Sequence, residues 1–247
     1  ACLRGEDKGC AEHFLNFSLK GGIYGPGGFA EYKVHRSDGV FGVADAPWDK
    51  AALAEPLSCA IHAARLLGAK LGDTAVVFGS GTMGLMNLLV LKKSGLRVAV
   101  VDVNEARLEK AKKLGADLVF KSDEKIRERI KGAFLGGVDY AITAYGSDEV
   151  NQDALDVLNN RGKICLFASA HPVVPFAIDP NVMHNKETSA VGVVSADRCD
   201  HALATEMIAH NQIDLSELID ATYPISQAQE AFHRATSTPS YRVMLNP

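Results

Sequence analysis

The chain has 247 residues, 47% of them apolar and 23% charged, with a formal net charge of −4. This is the composition of a packed globular protein of one large domain or two ordinary ones, not of a disordered chain. No Lys/Arg run makes an electrostatic case for nucleic acid, and the longest apolar stretch, around 85–91, is broken by Asn87 and bounded by Lys92, far short of the roughly 20 residues of a membrane span.

Residues 1–30 are rich in glycine and read as loop, ending in a short strand, FAEYKVH, at 29–35. DKAALAEPLSCAIHAARLLGAKLG then spaces its apolar residues as a helix, with Pro56 interrupting a first turn and Gly68 and Gly72 as stop signals. TAVVF is a short apolar, β-branched run closed by glycines, and TMGLMNLLVLKKSG reads as helix. RVAVVDVN, DLVF, VDYAITAYG and GKICLFAS follow as strands; NEARLEKAKKLGA, DEKIRERIKG and DEVNQDALDVLNN alternate with them as helices. Short continuous apolar strands alternating with helices predict βαβ units and a parallel sheet covered on both faces. With right-handed crossovers this is an α/β, doubly wound fold. After ETSAVGVVSA the rhythm breaks into two helical segments, CDHALATEMIAHNQ and SQAQEAFHRATS, and a closing strand, YRVMLN.

Gly79, Gly81 and Gly84 form G-x-G-x-x-G between a strand and a helix. The first glycine permits the tight turn, the second lets a pyrophosphate approach the backbone, and the third lets helix and strand pack closely. The helix start offers N–H groups to an anion. Asp102 ends the next strand, eighteen residues after Gly84, where an acid accepts hydrogen bonds from a ribose diol and repels a 2′-phosphate. The pattern predicts NAD rather than NADP, with Arg107 close enough to soften the rejection. The alternative is a tight strand–helix turn with a solvent-facing acid.

Five cysteines are an odd number, and Cys59, Cys165 and Cys199 lie in patterned segments. Free thiols in a reducing, cytoplasmic setting are expected, and no signal peptide is visible in the charged first ten residues. Cys59 and His62 share a helical face but read as packing residues.

CLRGEDKGC, GGFAEY, AALAEPLSCAIHA, VVFGSGTMGL, VVDVNEARLEKAKKLGAD, GKICLFA, KETSAVG and YPISQAQEAFHRA with YRVMLNP run nearly end to end. In order and spacing they resemble the medium-chain zinc-dependent alcohol and polyol dehydrogenases, the sorbitol and threonine dehydrogenases above all. The resemblance implies that Cys2 and Cys10 are the third and fourth ligands of a structural zinc lobe, C-x2-C-x2-C-x7-C, whose first two cysteines would precede Ala1. A structural zinc takes four ligands. It also implies that Glu55, in EPLS, stands at the catalytic zinc, as ligand or as holder of its water; on its own, Glu55 reads as a first-turn acid favoured by the helix dipole. The family's catalytic cysteine and Gly-His-Glu segment are not found in these 247 residues.

By the same resemblance Gly79, Gly81, Thr82, Met83 and Gly84 hold the dinucleotide together with Asp102 and Arg107. Phe167 and Ala168 lie against the nicotinamide and Ala144 under the adenosine ribose. The implied reaction is hydride transfer from a secondary alcohol or polyol to NAD⁺, with zinc lowering the pKa of the alcohol. The implied organisation is a remnant of a GroES-like, zinc-binding catalytic domain at 1–56, a Rossmann domain at 57–194, and a return to the catalytic domain at 195–247. A chain missing the first part of its catalytic domain is expected not to catalyse on its own and to associate through exposed apolar surface. A homodimer or homotetramer through the edge strand ETSAVGVV is expected. The rival readings are a non-catalytic NAD-binding protein and a zinc-free quinone reductase relative.

Overall fold

A computed structural model describes residues 28–32, 34, 37–170, 172–173, 175–237 and 239–246. The chain divides into two compact units, Cys59–Val194 and a second formed by Ala1–Ser58 with Ser195–Pro247. Its elements are α1 (Trp48–Ala51), α2 (Ala54–Leu67), β1 (Thr74–Phe78), α3 (Thr82–Lys93), β2 (Arg97–Asp102), α4 (Glu105–Lys113), β3 (Leu118–Lys121) and α5 (Ile126–Ala133). They continue with β4 (Val138–Thr143), α6 (Asp148–Asp156), β5 (Leu158–Leu166), α7 (Pro180–Lys186), β6 (Ser189–Gly192), α8 (Arg198–Ala209), β7 (Ile219–Pro224), α9 (Ala228–Ser237) and β8 (Arg242–Asn246).

In the Cys59–Val194 unit six parallel strands lie in the order β3-β2-β1-β4-β5-β6. The order reverses between β1 and β4, the switch point at which open α/β sheets bind ligands. In β1 every residue after Thr74 is buried and in β2 every residue after Arg97. That is why these strands read as unbroken apolar runs rather than as alternations. One face packs Val76, Phe78, Ala99, Val101 and Ile164 against Ile130, Ala154 and Leu155 of α5 and α6.

Pro56 does not interrupt a helix. It lies in the first turn of α2, where its missing N–H has no intrahelical acceptor to lose. The boundary between α6 and β5 differs from the sequence reading, which carried the helix through LNN. Leu158 is already strand, paired with Val138, and Lys163 is the next partner, of Tyr140. The extra residues form a bulge in which Arg161 takes φ +64° and Asn159 donates to the Gly137 carbonyl at 3.1 Å.

In the other unit β7 and β8 pair in parallel with α9 between them in sequence. Asp197 and Asp200 cap α8 reciprocally, and Lys50 reaches Asp214 at 3.3 Å. Among the described residues this unit shows a two-stranded sheet and no closed barrel. The strand expected at FAEYKVH is not seen among its described residues: residues 29–31 are bends, and Tyr32 and Val34 are almost wholly exposed. Their apolar character buries nothing, so alternation there carries no strand, although Phe29 sets its ring edge-on to Phe232 at 5.4 Å. Among the described residues no helix is long and apolar enough to cross a membrane.

Candidate dinucleotide site

The turn from β1 to α3 is built by what its glycines lack. Gly79 has φ +96°, the left-handed region, and its N–H donates to the Val101 carbonyl at 2.8 Å. A Cβ on Gly84 would stand 1.8 Å from the Gly79 carbonyl oxygen, so α3 approaches β1 at a distance only glycine allows. Gly81 differs: a Cβ there would meet nothing within 4 Å. Gly81 is also the N-cap of α3, and no side chain caps that helix. The loop therefore closes tightly on its protein side and stays open on the other, the shape a diphosphate needs at a helix N-terminus. Thr82 and Met83 are the first two residues of α3 and are half-buried.

Asp102 is buried at the end of β2. Its Oδ2 accepts from the Ser80 N–H at 2.7 Å and from the Ser80 hydroxyl at 2.7 Å. Its Oδ1 accepts from the Asn104 N–H at 2.9 Å. Asn104 in turn caps α4, accepting from the Arg107 N–H at 3.2 Å. Asp102 is thus no solvent-facing strand end; it ties the glycine loop to the start of α4. Sequence reasoning missed Ser80, which is fully buried; the one signal for it was a polar residue inside an otherwise apolar strand–glycine run.

Across the switch point Ala144 and Tyr145 lie against the loop, 3.4 Å from where a Cβ of Gly79 would be, and the Ala144 N–H donates to the Phe78 carbonyl at 2.9 Å. The Ala168 N–H donates to the Thr143 carbonyl at 2.9 Å. Gly146 passes so close to the Ser169 carbonyl that a Cβ would stand 2.7 Å from it. Asp102, the glycine loop, Ala144 and the Phe167–Ala168 turn accordingly line one edge of the sheet, beyond the carboxyl ends of β2, β1, β4 and β5.

Glu55 is exposed in the first turn of α2, and its carbonyl accepts from the Ser58 hydroxyl at 2.6 Å. Among the described residues it joins no cluster of three or more His, Cys, Asp or Glu ligand atoms. Cys2 and Cys10 lie outside the described residues. His62 is buried, and its Nδ1 lies 3.0 Å from the Arg65 guanidinium. A guanidinium only donates, so Nδ1 is the acceptor and the neutral ring carries its proton on Nε2. Cys165 and Cys199 are free thiols; burial pushes the Cys165 thiol up to about 12.

A parallel sheet of this order, with its glycine loop at the switch point, is a Rossmann-type cofactor domain. Residues 82–210, a little over half of the chain, match the model of the family described as "Zinc-binding dehydrogenase". The chain belongs to that family. It is 31% identical over 240 residues to the L-threonine 3-dehydrogenase of Mesorhizobium japonicum, covering 95% of this chain and 68% of that protein. It is 29% identical over 229 residues to the sorbitol dehydrogenase of Halalkalibacterium halodurans, covering 90% of this chain and 66% of that protein. In fold it is similar to the 2R,3R-butanediol dehydrogenase of Bacillus subtilis, with a TM-score of 0.75 at 23% identity, covering 83% of this chain and 59% of that one. The chain therefore spans less than two thirds of the latter two proteins.

Proposed function

We propose that the residues present supply the cofactor domain, with part of the catalytic domain, of an NAD-linked, zinc-dependent dehydrogenase that oxidises a secondary alcohol or polyol to a ketone. The observation that carries this reading is the one-sided glycine loop, packed shut at Gly84 and open at Gly81, beside a buried acid at the end of β2. Family membership and relatives named for threonine and sorbitol support a small hydroxyl compound as the substrate.

In this reading the backbone at Gly81, Thr82 and Met83 receives the pyrophosphate. Asp102 accepts a ribose hydroxyl, and its charge disfavours a 2′-phosphate, which makes NAD the cofactor; Arg107 moderates that preference. Ala144 lies under the adenosine ribose, and Phe167 with Ala168 backs the nicotinamide. Bound NAD⁺ supplies the hydride acceptor; the protein orients it and keeps water from one face. Residues 57–194 form the cofactor domain, and 1–56 with 195–247 belong to a GroES-like catalytic domain. Zinc is assigned to Glu55 and, in a structural lobe, to Cys2 and Cys10. Assembly as a homodimer or homotetramer through the β6 edge, in the cytoplasm, completes the proposal.

Titration calorimetry of the chain with NADH and NADPH tests the cofactor part: tighter NADH binding is expected, and equal or tighter NADPH binding would overturn it. Metal analysis of the protein purified without chelator, beside Glu55→Ala, tests the zinc assignment; unchanged zinc in the variant would remove Glu55 from it. Among the described residues Glu55 is exposed and joins no three-ligand cluster, which favours one second reading, a dinucleotide-binding protein without catalysis. NADH binding with no turnover of any alcohol tested, zinc supplied, would select it.

A further inference from the structure

We infer that Ser80 is the specificity-positioning residue of the dinucleotide site: it holds Asp102 in the one orientation that rejects a 2′-phosphate. The inference rests on the dinucleotide reading above and deepens it. An ionised carboxylate has about four acceptor sites, two on each oxygen. Ser80 fills both on Oδ2, one with its N–H and one with its hydroxyl, each at 2.7 Å. The Asn104 N–H takes one on Oδ1 at 2.9 Å. A single acceptor site remains, on Oδ1, so Asp102 takes one ribose hydroxyl rather than chelating the diol with both oxygens.

The clamp also fixes the charge. Bonds to both oxygens, from two different segments of chain, prevent the carboxylate from turning aside. Ser80 is fully buried and Asp102 nearly so, hence water does not compete for these bonds. A carboxylate that cannot rotate cannot make room for a phosphate, whereas a loosely held one can. Discrimination between the two cofactors thus comes from the pair, and Ser80 acts through Asp102 rather than by touching the ligand.

The test is the ratio of NADPH to NADH dissociation constants, measured by titration calorimetry on single preparations, so that any loss of folded protein cancels. Ser80→Ala removes the hydroxyl bond and keeps the N–H bond to Oδ2; it should lower that ratio about three- to tenfold, the net scale of one ordinary hydrogen bond, while Ser80→Thr, which keeps a hydroxyl, should restore most of it. Asp102→Asn should lower the ratio further, and adding Ser80→Ala in that background should change it no more. An unchanged ratio in Ser80→Ala, or an equal drop with and without the Asp102 charge, would overturn the inference. Failure of the unsubstituted chain to bind either cofactor would instead overturn the dinucleotide reading beneath it, and this inference with it.

Discussion

The two ends of the six-stranded sheet are finished in opposite ways. At the amino ends of the strands, side chains brace β1 to β4 and β5 to the end of α2. Asp139 accepts from the N–H and the hydroxyl of Thr74 at 2.8 and 2.7 Å, and Lys163 donates to the Leu67 carbonyl at 2.7 Å. Tyr140 donates to Asp73 at 3.0 Å, and burial followed by that carboxylate holds its phenol well above the usual range. At the carboxyl ends, side chains are removed instead: Gly79, Gly84 and Gly146 let backbone meet backbone, and Gly81 leaves a space. One end satisfies its polar groups within the protein, while the other presents open backbone at Gly81 beside the hydrogen-bonded Asp102. The second end has the open backbone that the proposed dinucleotide site uses.

The sharpest way to break that contrast is Gly84→Val. With a Cβ 1.8 Å from the Gly79 carbonyl oxygen, α3 must shift; stability should fall by about 3 kcal/mol, and NADH binding should vanish, both read from thermal melts with and without cofactor. Gly81→Ala should separate the two properties. Its Cβ meets no protein atom and its φ is −69°, so stability should change by less than about 0.5 kcal/mol, while NADH affinity falls about tenfold because the methyl stands where a phosphate would.

Between the two ends the sheet is dry, and Cys165 reports it. Its folded value of about 12 exceeds the ordinary 9.0 because burial disfavours the thiolate. The native state therefore holds the proton where the unfolded chain has lost it. This contribution is complete below pH 9 and disappears as the pH rises from about 9 to about 12, by at most about 1.4 kcal/mol per pH unit. Denaturant melts of Cys165→Ala should lack that part of the slope. The smallest effect belongs to the braced end: Tyr140→Phe should cost about 1 kcal/mol and leave NADH affinity unchanged, because the hydroxyl serves only Asp73 and Gly68. A change in affinity would mean the two ends are coupled.

The β–α alternation and the glycine loop were legible because each rests on local pattern: unbroken apolar runs for buried strands, glycine where a Cβ cannot stand. Asp102 was legible as a position, but its bonding was not. Its partner Ser80 lies 22 residues away, and no periodicity reports a side chain meeting another across a sheet. Residues 158–160 were misread as helix because LNN carries no strand signal of its own; the pairing comes from Val138. The described residues of FAEYKVH were misread the other way, since alternation without a neighbouring strand or a surface to cover stabilises nothing. Helix α7 was passed over although Asp179 caps it and Pro180 opens it, a start signal without the length to show periodicity.

The seam between β1 and β4 sets an order of assembly. Strand β1 pairs with β2 after a short connection, Val76 meeting Ala99, but its other edge waits for β4, where Ala75 meets Tyr140, 65 residues along the chain. Loop-closure entropy makes that second pairing slow relative to the first. On a ribosome the β1–β2–β3 half can form while β4 is still being made, with one edge of β1 exposed. The cofactor cleft, lying over this seam, comes into being only with that late pairing, so a nascent chain interrupted before β4 would carry the glycine loop and half of a nucleotide site.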